Sequence, residues 1–287
     1  MVKNYNMKKQ LNATINPSCN EVDIFRAMAK ILDSTHYYHN VRSIFVKEVH
    51  GAKGYVTFNS SYFPLNNPIT KEIADLLFVV HHRPTHQIRI CFLQAKYLRK
   101  GYPFPGFLAD IKQWDLLCHR YKLIQSTQKM NFPKTILSFT EYKSITAYGV
   151  FFKDYANKMD MLYTIPDFLD PLGRQKKLFF FPRVPLCYCR RISNVHYPEH
   201  IFSCAIDCFI YHLLNGEVGA PIERHPSIVS WLLSLLHCAH AIHHESTSLF
   251  YNIFSTLEQW RGKREPTEIT FANKLPFSVF LIEINEI

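Results

Sequence analysis

The chain has 287 residues, 47% hydrophobic and 15% aromatic, which is enough apolar material for a sizeable core and excludes a mainly disordered state. Lysine and arginine number 33 against 23 aspartates and glutamates, and the net charge of +10 favours polyanionic partners. No run reaches the ~18–20 apolar residues of a membrane helix, and the basic N-terminus lacks the apolar stretch of a secretory signal. The eight cysteines show no framework spacing, so the expectation is a cytoplasmic protein with reduced thiols and no membrane contact.

Residues 1–20 read as a basic tail. Ser18 followed by Glu21 resembles a capping box, and Val22, Phe25, Met28 or Ala29, and Leu32 recur at helical spacing, predicting a helix over 21–34. The β-rich stretch 41–50, the glycine-bounded turn 51–54 and residues 55–58 predict a hairpin. Residues 75–80 form a short apolar run, as in a strand buried on both faces. Pro84 then interrupts pairing, and 88–96 is the next strand. Its alternation puts Ile88, Ile90, Phe92, Gln94 and Lys96 on one face.

A Gly/Pro-rich loop at 101–106 precedes helical periodicity over 107–123 and strands at 135–139 and 147–152. Beyond Pro166 the pattern predicts a strand at 177–185, a helix over 199–214 ending at Gly216, one long helix or two over 226–261, and a final strand at 277–285. Together these predict an α/β fold, a mixed central sheet flanked by helices. The core spans 21–160, followed over 161–287 by a mainly helical extension or second domain with a last strand.

Several chemistries are disfavoured. The chain has no G-x-S-x-G elbow, no P-loop and no dinucleotide loop, and its nine glycines argue against phosphate cradles. His240 and His244 stand at helical i, i+4 spacing without an HExxH motif, and among fifteen histidines they read as structural or surface residues. The Cys187/Cys189 and Cys204/Cys208 pairs read as ordinary thiols, and no zinc is expected. Asp110 and Asp115 read as a solvated helix face and Glu72 as a loop acid.

The informative feature is an acid, Asp75, opening one strand, and a Gln94-x-Lys96 pair closing the next. In an antiparallel pair these ends lie side by side, so the three residues converge at one rim of the sheet. Polar groups placed after hydrophobic runs are costly unless they are paired or bind something. This pattern resembles the PD-(D/E)xK nuclease superfamily in its Gln-x-Lys variant, found in type IV restriction enzymes and related defence nucleases. The resemblance extends over residues 20–140, whose predicted order also matches that family's helix, three strands, helix and strand.

The resemblance implies a restriction-endonuclease-like fold and a metal-dependent endonuclease that hydrolyses DNA, in defence against foreign DNA. It implies Mg²⁺, with Mn²⁺ as a substitute, held by Asp75, Gln94 and Glu21. Lys96 would act on the attacking water and the phosphate, and Gln113 would complete the catalytic set. Two departures stand out: no proline precedes Asp75, and Gln94 replaces a second carboxylate, which makes Glu21 or Glu72 more necessary as a charge. Arg99, Lys100, Tyr102, Arg120 and Lys122 flank the rim as basic and aromatic candidates for phosphate contact and base stacking. The alternative is a non-catalytic subunit on the same fold that binds nucleic acid, or binds a protein partner or a second copy through its C-terminal half.

Overall fold

The computed structural model describes residues 6–16, 19–34, 40–47, 54–63, 67–98, 103, 106–126, 132–138, 142–172, 177–184, 187–192, 199–243, 248–261 and 275–285. It begins with helices α1 (Met7–Thr14) and α2 (Glu21–Asp33), then strands β1 (Val41–Val46), β2 (Tyr55–Phe58), β3 (Ile69–Glu72), β4 (Leu76–His82) and β5 (Gln87–Leu98). Next come β6 (Phe107–Asp110), α3 (Ile111–His119), β7 (Leu123–Ser126), β8 (Thr146–Lys153) and β9 (Met159–Thr164). The remainder comprises β10 (Leu169–Pro171), β11 (Lys177–Pro182), β12 (Tyr188–Ile192), β13 (Glu199–Cys204) and α4 (Ile206–Leu214). It closes with β14 (Ala220–Pro221), α5 (Pro226–His243), α6 (Ser248–Arg261) and β15 (Ser278–Ile284).

The centre is a mixed sheet in the order β1-β15-β4-β5-β8-β9-β13-β12, with β14 added alongside β5. Strands from either side of residue 160 share it. β4 and β5 are antiparallel, with Leu76 opposite Leu93, while β5 and β8 run parallel and are connected through α3. β15 lies between β1 and β4, antiparallel to the first and parallel to the second. Every residue of β4 and of β15 is buried, as expected for strands covered on both faces.

Period-two alternation divides the β5 side chains between the two faces of the sheet. Cys91, Leu93 and Ala95 join Phe78, Phe151 and Phe280 in a core with α1, α2 and α4. Phe25 of α2 anchors that layer, with its ring edge-on to Phe151 at 5.0 Å and Phe78 at 6.0 Å. On the other face Ile88, Ile90 and Phe92 pack with α5 and α6 around Trp231. Further along that face, Tyr148, Val150 and Phe152 pack against Trp114 of α3 and Phe107 and Phe180 of the small β10-β11-β6 sheet. Gln94 and Lys96 project on this second face, opposite Tyr148 and Val150.

The structure redraws several local expectations. The N-cap of α2 is Asn20, which forms a capping box with Asp23; Ser18 lies outside the described residues. β1 does not form a hairpin with β2, because β15 captures it, and β2 pairs with β3 and β7 instead. Residues 107–110 are strand before α3 begins, and 199–204 are strand before α4 begins. Residues 134–138 are turns with Ile136 and Leu137 buried, and β7 supplies the strand in this region. The C-terminal part therefore adds helices α4–α6 and also β10–β15. Inside the N-terminal tail, α1 packs on α4 with Met7 and Leu11 fully buried. No described helix is long and apolar enough to cross a membrane.

Candidate functional site

The β4–β5 register brings Asp75 beside the end of β5. The Asp75 N–H donates to the Leu93 carbonyl at 3.1 Å, and its own carbonyl accepts from Ser278 of β15 at 3.1 Å. Both strands thus hold the backbone of Asp75. Its carboxylate Oδ2 accepts from the Ala95 N–H at 2.8 Å and from Gln94 Nε2. Gln94 Oε1 in turn accepts from Gln113 Nε2, which also donates to the Glu72 carbonyl at 3.2 Å. Gln94 and Gln113 are 3% and 7% exposed, so their amides depend on this chain of bonds for satisfaction.

Lys96 lies two residues beyond Gln94 on the same face of β5 and is half-buried. It makes no hydrogen bond or ion pair among the described residues. A half-buried ammonium near the end of an apolar strand carries a desolvation cost that a nearby anion would offset. Gln113 is aimed at the rim by the start of α3. There Asp110 caps the helix, accepting from the Lys112 and Gln113 N–H groups at 2.9 and 3.1 Å and pairing with Lys71 at 2.7 Å. Burial alone would raise the Asp110 pKa, but the Lys71 ammonium and the two backbone donors hold it below its ordinary value.

Gln94 is therefore in contact with both Asp75 and Gln113, and Lys96 lies two residues on along the same face of β5. Glu21 stands at the N-terminus of α2, whose apolar side packs on the opposite face of the sheet. Glu72 ends β3 and contributes its carbonyl to Gln113. Arg99, Lys100 and Tyr102 lie outside the described residues. Lys122 is exposed, whereas Arg120 is engaged in a two-pronged pair with Asp167 at 2.8 and 3.3 Å.

Asp110 and Asp115 do not form a solvated helix face. Asp115 is fully buried and accepts from Ser60 Oγ at 2.5 Å and the Tyr121 hydroxyl at 3.0 Å, and it pairs with His119 Nδ1 at 2.8 Å. The Asp115 hydrogen bond raises the His119 pKa against the opposing effect of burial. Four-residue spacing on α3 is the sequence signal that links this pair. On α5, His237 stacks on Phe254 of α6 at 4.3 Å and His240 contacts Phe250 at 4.9 Å, which makes them packing residues; His244 lies outside the described residues.

The donor set at the rim can be tested against a hard divalent cation, which takes oxygen ligands. Asp75 supplies a carboxylate, and Gln94 an amide that now turns its nitrogen towards that carboxylate. Rotating the Gln94 amide by half a turn would present Oε1 beside Asp75, an arrangement of two acceptors that a cation between them stabilises. That rotation sets Gln94 Nε2 against Gln113 Nε2, so both amides must turn, and the set then offers a hard cation one carboxylate and one amide oxygen with little negative charge. Comparison of the chain with family models, with curated proteins and with solved structures finds no match.

Proposed function

We propose that this protein is a metal-dependent endonuclease of restriction-endonuclease-like fold that hydrolyses DNA phosphodiester bonds at the β4–β5 rim. The observation that carries the reading is the contact of Gln94 with both Asp75 and Gln113, on the same face as a Lys96 without a partner among the described residues. The order of α2, β1, β4, β5, α3 and β8, with β5 and β8 parallel, supports it as well. So does the net charge of +10, which suits the phosphate backbone. Defence against foreign DNA follows only from the resemblance.

In this reading Asp75 and Gln94 hold the cation, and Mg²⁺, when bound, supplies Lewis acidity and an acidified water. Asp75 is fixed by its bonds to Ala95 and Leu93, so its carboxylate stays in place through turnover. Gln113 restrains the Gln94 amide and must turn with it for Oε1 to face the cation. Lys96 sets a compact positive charge beside the scissile phosphate, where charge builds on the phosphoryl oxygens. Glu21, from the opposite layer, would add its carboxylate only if α2 shifts at its N-terminus.

A second reading has its own support. Each amide in the Asp75–Gln94–Gln113 chain is already satisfied within the protein, as in a structural latch. This favours a non-catalytic subunit that binds nucleic acid or a protein partner. Incubation of plasmid DNA with Mg²⁺ or Mn²⁺ separates the two. The nuclease reading expects nicking or linearisation by the wild type that is lost in Asp75→Ala with the fold intact, and cleavage that survives Asp75→Ala would refute it. Salt-sensitive DNA binding without cleavage would favour the latch.

A further inference from the structure

At the far end of the central sheet, three side chains that are scattered in the sequence meet. Cys189 lies on β12 directly opposite Phe202 of β13 and diagonal to His200, so both point from adjoining strands into one region. His212 enters from α4. The ligating atoms of Cys189, His200 and His212 all lie within 4.8 Å of one another. Cys208 precedes His212 by one helical turn on the same side of α4, where a fourth donor would come from. Phe202 stacks on the His212 ring at 4.0 Å and fixes its plane.

We propose that Cys189, His200, Cys208 and His212 bind a structural zinc ion. Two thiolates and two imidazoles form a donor set that zinc takes in tetrahedral geometry at about 2.0–2.3 Å, and soft sulfur disfavours Mg²⁺ or Ca²⁺. Glu217 sits behind the histidines, with one oxygen 2.6 Å from His212 Nδ1 and the other 3.3 Å from His200 Nδ1. The carboxylate on His212 Nδ1 leaves its Nε2 as the lone-pair donor, which is how histidine ligands are usually oriented, whereas His200 Nδ1 makes no hydrogen bond among the described residues. Glu217 is brought there by the turn at Gly216, which has a positive φ of 66°.

The location gives the ion a purpose. Among the described residues β12 is the last strand of the sheet, paired only with β13, and Cys189, Arg190 and Arg191 are exposed. Such a strand buries little apolar surface, and a metal joining it to β13 and α4 would hold the edge in place. The site lies in elements distinct from the β4–β5 rim, so it stands or falls independently of the nuclease reading.

The test is the metal content of the full-length protein after dialysis, together with Co²⁺ titration of the chelator-stripped protein. About one zinc per chain and a cobalt–thiolate charge-transfer band in the near ultraviolet are expected. The double variant Cys189→Ser, His200→Gln should lose zinc, whereas Cys238→Ser, a thiol buried elsewhere on α5, should keep it. Zinc should also protect Cys189 and Cys208 from alkylation. Two results would overturn the proposal: a wild type that holds well under a tenth of an equivalent and shows no cobalt–thiolate band, or a double variant with undiminished zinc. If the double variant fails to fold, the wild-type zinc and cobalt measurements decide alone.

Discussion

Gln94→Glu exchanges the group that donates to Asp75 for a second carboxylate in the same place. Gln94 is 3% exposed, with its Nε2 on Asp75 and its Oε1 on Gln113. The change removes a hydrogen bond to a charged acceptor, worth about 1.5–3 kcal/mol. It also sets like charges together, a repulsion of about 4 kcal/mol at ~4 Å and an effective dielectric of ~20. Proton uptake by one of the two carboxyls relieves part of this, leaving an expected destabilisation of about 3–5 kcal/mol near pH 8.

Because the repulsion raises the folded-state pKa of the pair, the penalty should be small in mild acid and grow as pH rises through that pKa. A cation held between the two carboxylates should remove it. At a hundred times its dissociation constant, bound Mg²⁺ adds about 2.7 kcal/mol. The assay is urea unfolding of wild type and variant, with Mg²⁺ or with chelator, at mildly acidic and mildly alkaline pH. A variant as stable as wild type in chelator at alkaline pH would refute the contact, and a variant indifferent to Mg²⁺ would refute the cation site.

Three further outcomes follow from the geometry. Asp115→Asn should lower stability by about 2–4 kcal/mol, since it breaks a fully buried ionic hub. It should also return the His119 pKa towards its ordinary value when followed by NMR. Because that pKa is raised in the folded protein, the stabilisation from the pair is fully present below the unfolded histidine pKa and is lost as pH rises through the folded one, so an unmoved His119 titration would contradict the assignment. Lys122→Ala should weaken DNA binding evenly across sequences and reduce the salt slope by about 1. Arg120→Ala should act mainly on stability by leaving Asp167 with only Lys143 at 3.4 Å, and equal losses of DNA affinity in the two variants would contradict this division. Gly219→Ala should cost about 3 kcal/mol or more, because φ is 85° and a Cβ would lie 2.4 Å from the Ile90 carbonyl oxygen; an unchanged urea midpoint would rule out that approach.

Local patterning made α2, β4, β5, β8 and β15 legible, because each carries its burial within its own period or apolar run. The Asp75–Gln94 contact was legible for the same reason, since a short connection makes antiparallel pairing of β4 and β5 the natural outcome. What escaped was non-local. The turn chemistry at 51–54 suggested a hairpin, but β1 pairs with β15, more than two hundred residues away in sequence. The strand at 107–110 has alternating burial, with Phe107 and Ala109 inside and Leu108 58% exposed, yet its run into α3 concealed the change of period.

The thiol–imidazole cluster was illegible for a related reason. Cys-x-Cys entering β12 lacks the usual local spacing of a zinc motif, and Cys-x-x-x-Cys, which has it, reads as core residues on one helix face. Only the β12–β13 register and the packing of α4 bring them together with His200 and His212. Asp115 was misjudged because its partners Ser60 and Tyr121 reach it from loops on either side, which period-based reading of a helix face does not register.

The central claim concerns Lys96, the cation beside Asp75 and Gln94. The most direct measurement compares wild type and Lys96→Ala for Mg²⁺-dependent cleavage of plasmid and single-stranded DNA, with DNA affinity measured on the same preparations. The account predicts that cleavage falls by about 10²-fold or more while affinity and unfolding midpoint change little, because Lys96 serves the transition state rather than general binding. Cleavage undiminished in Lys96→Ala would contradict it.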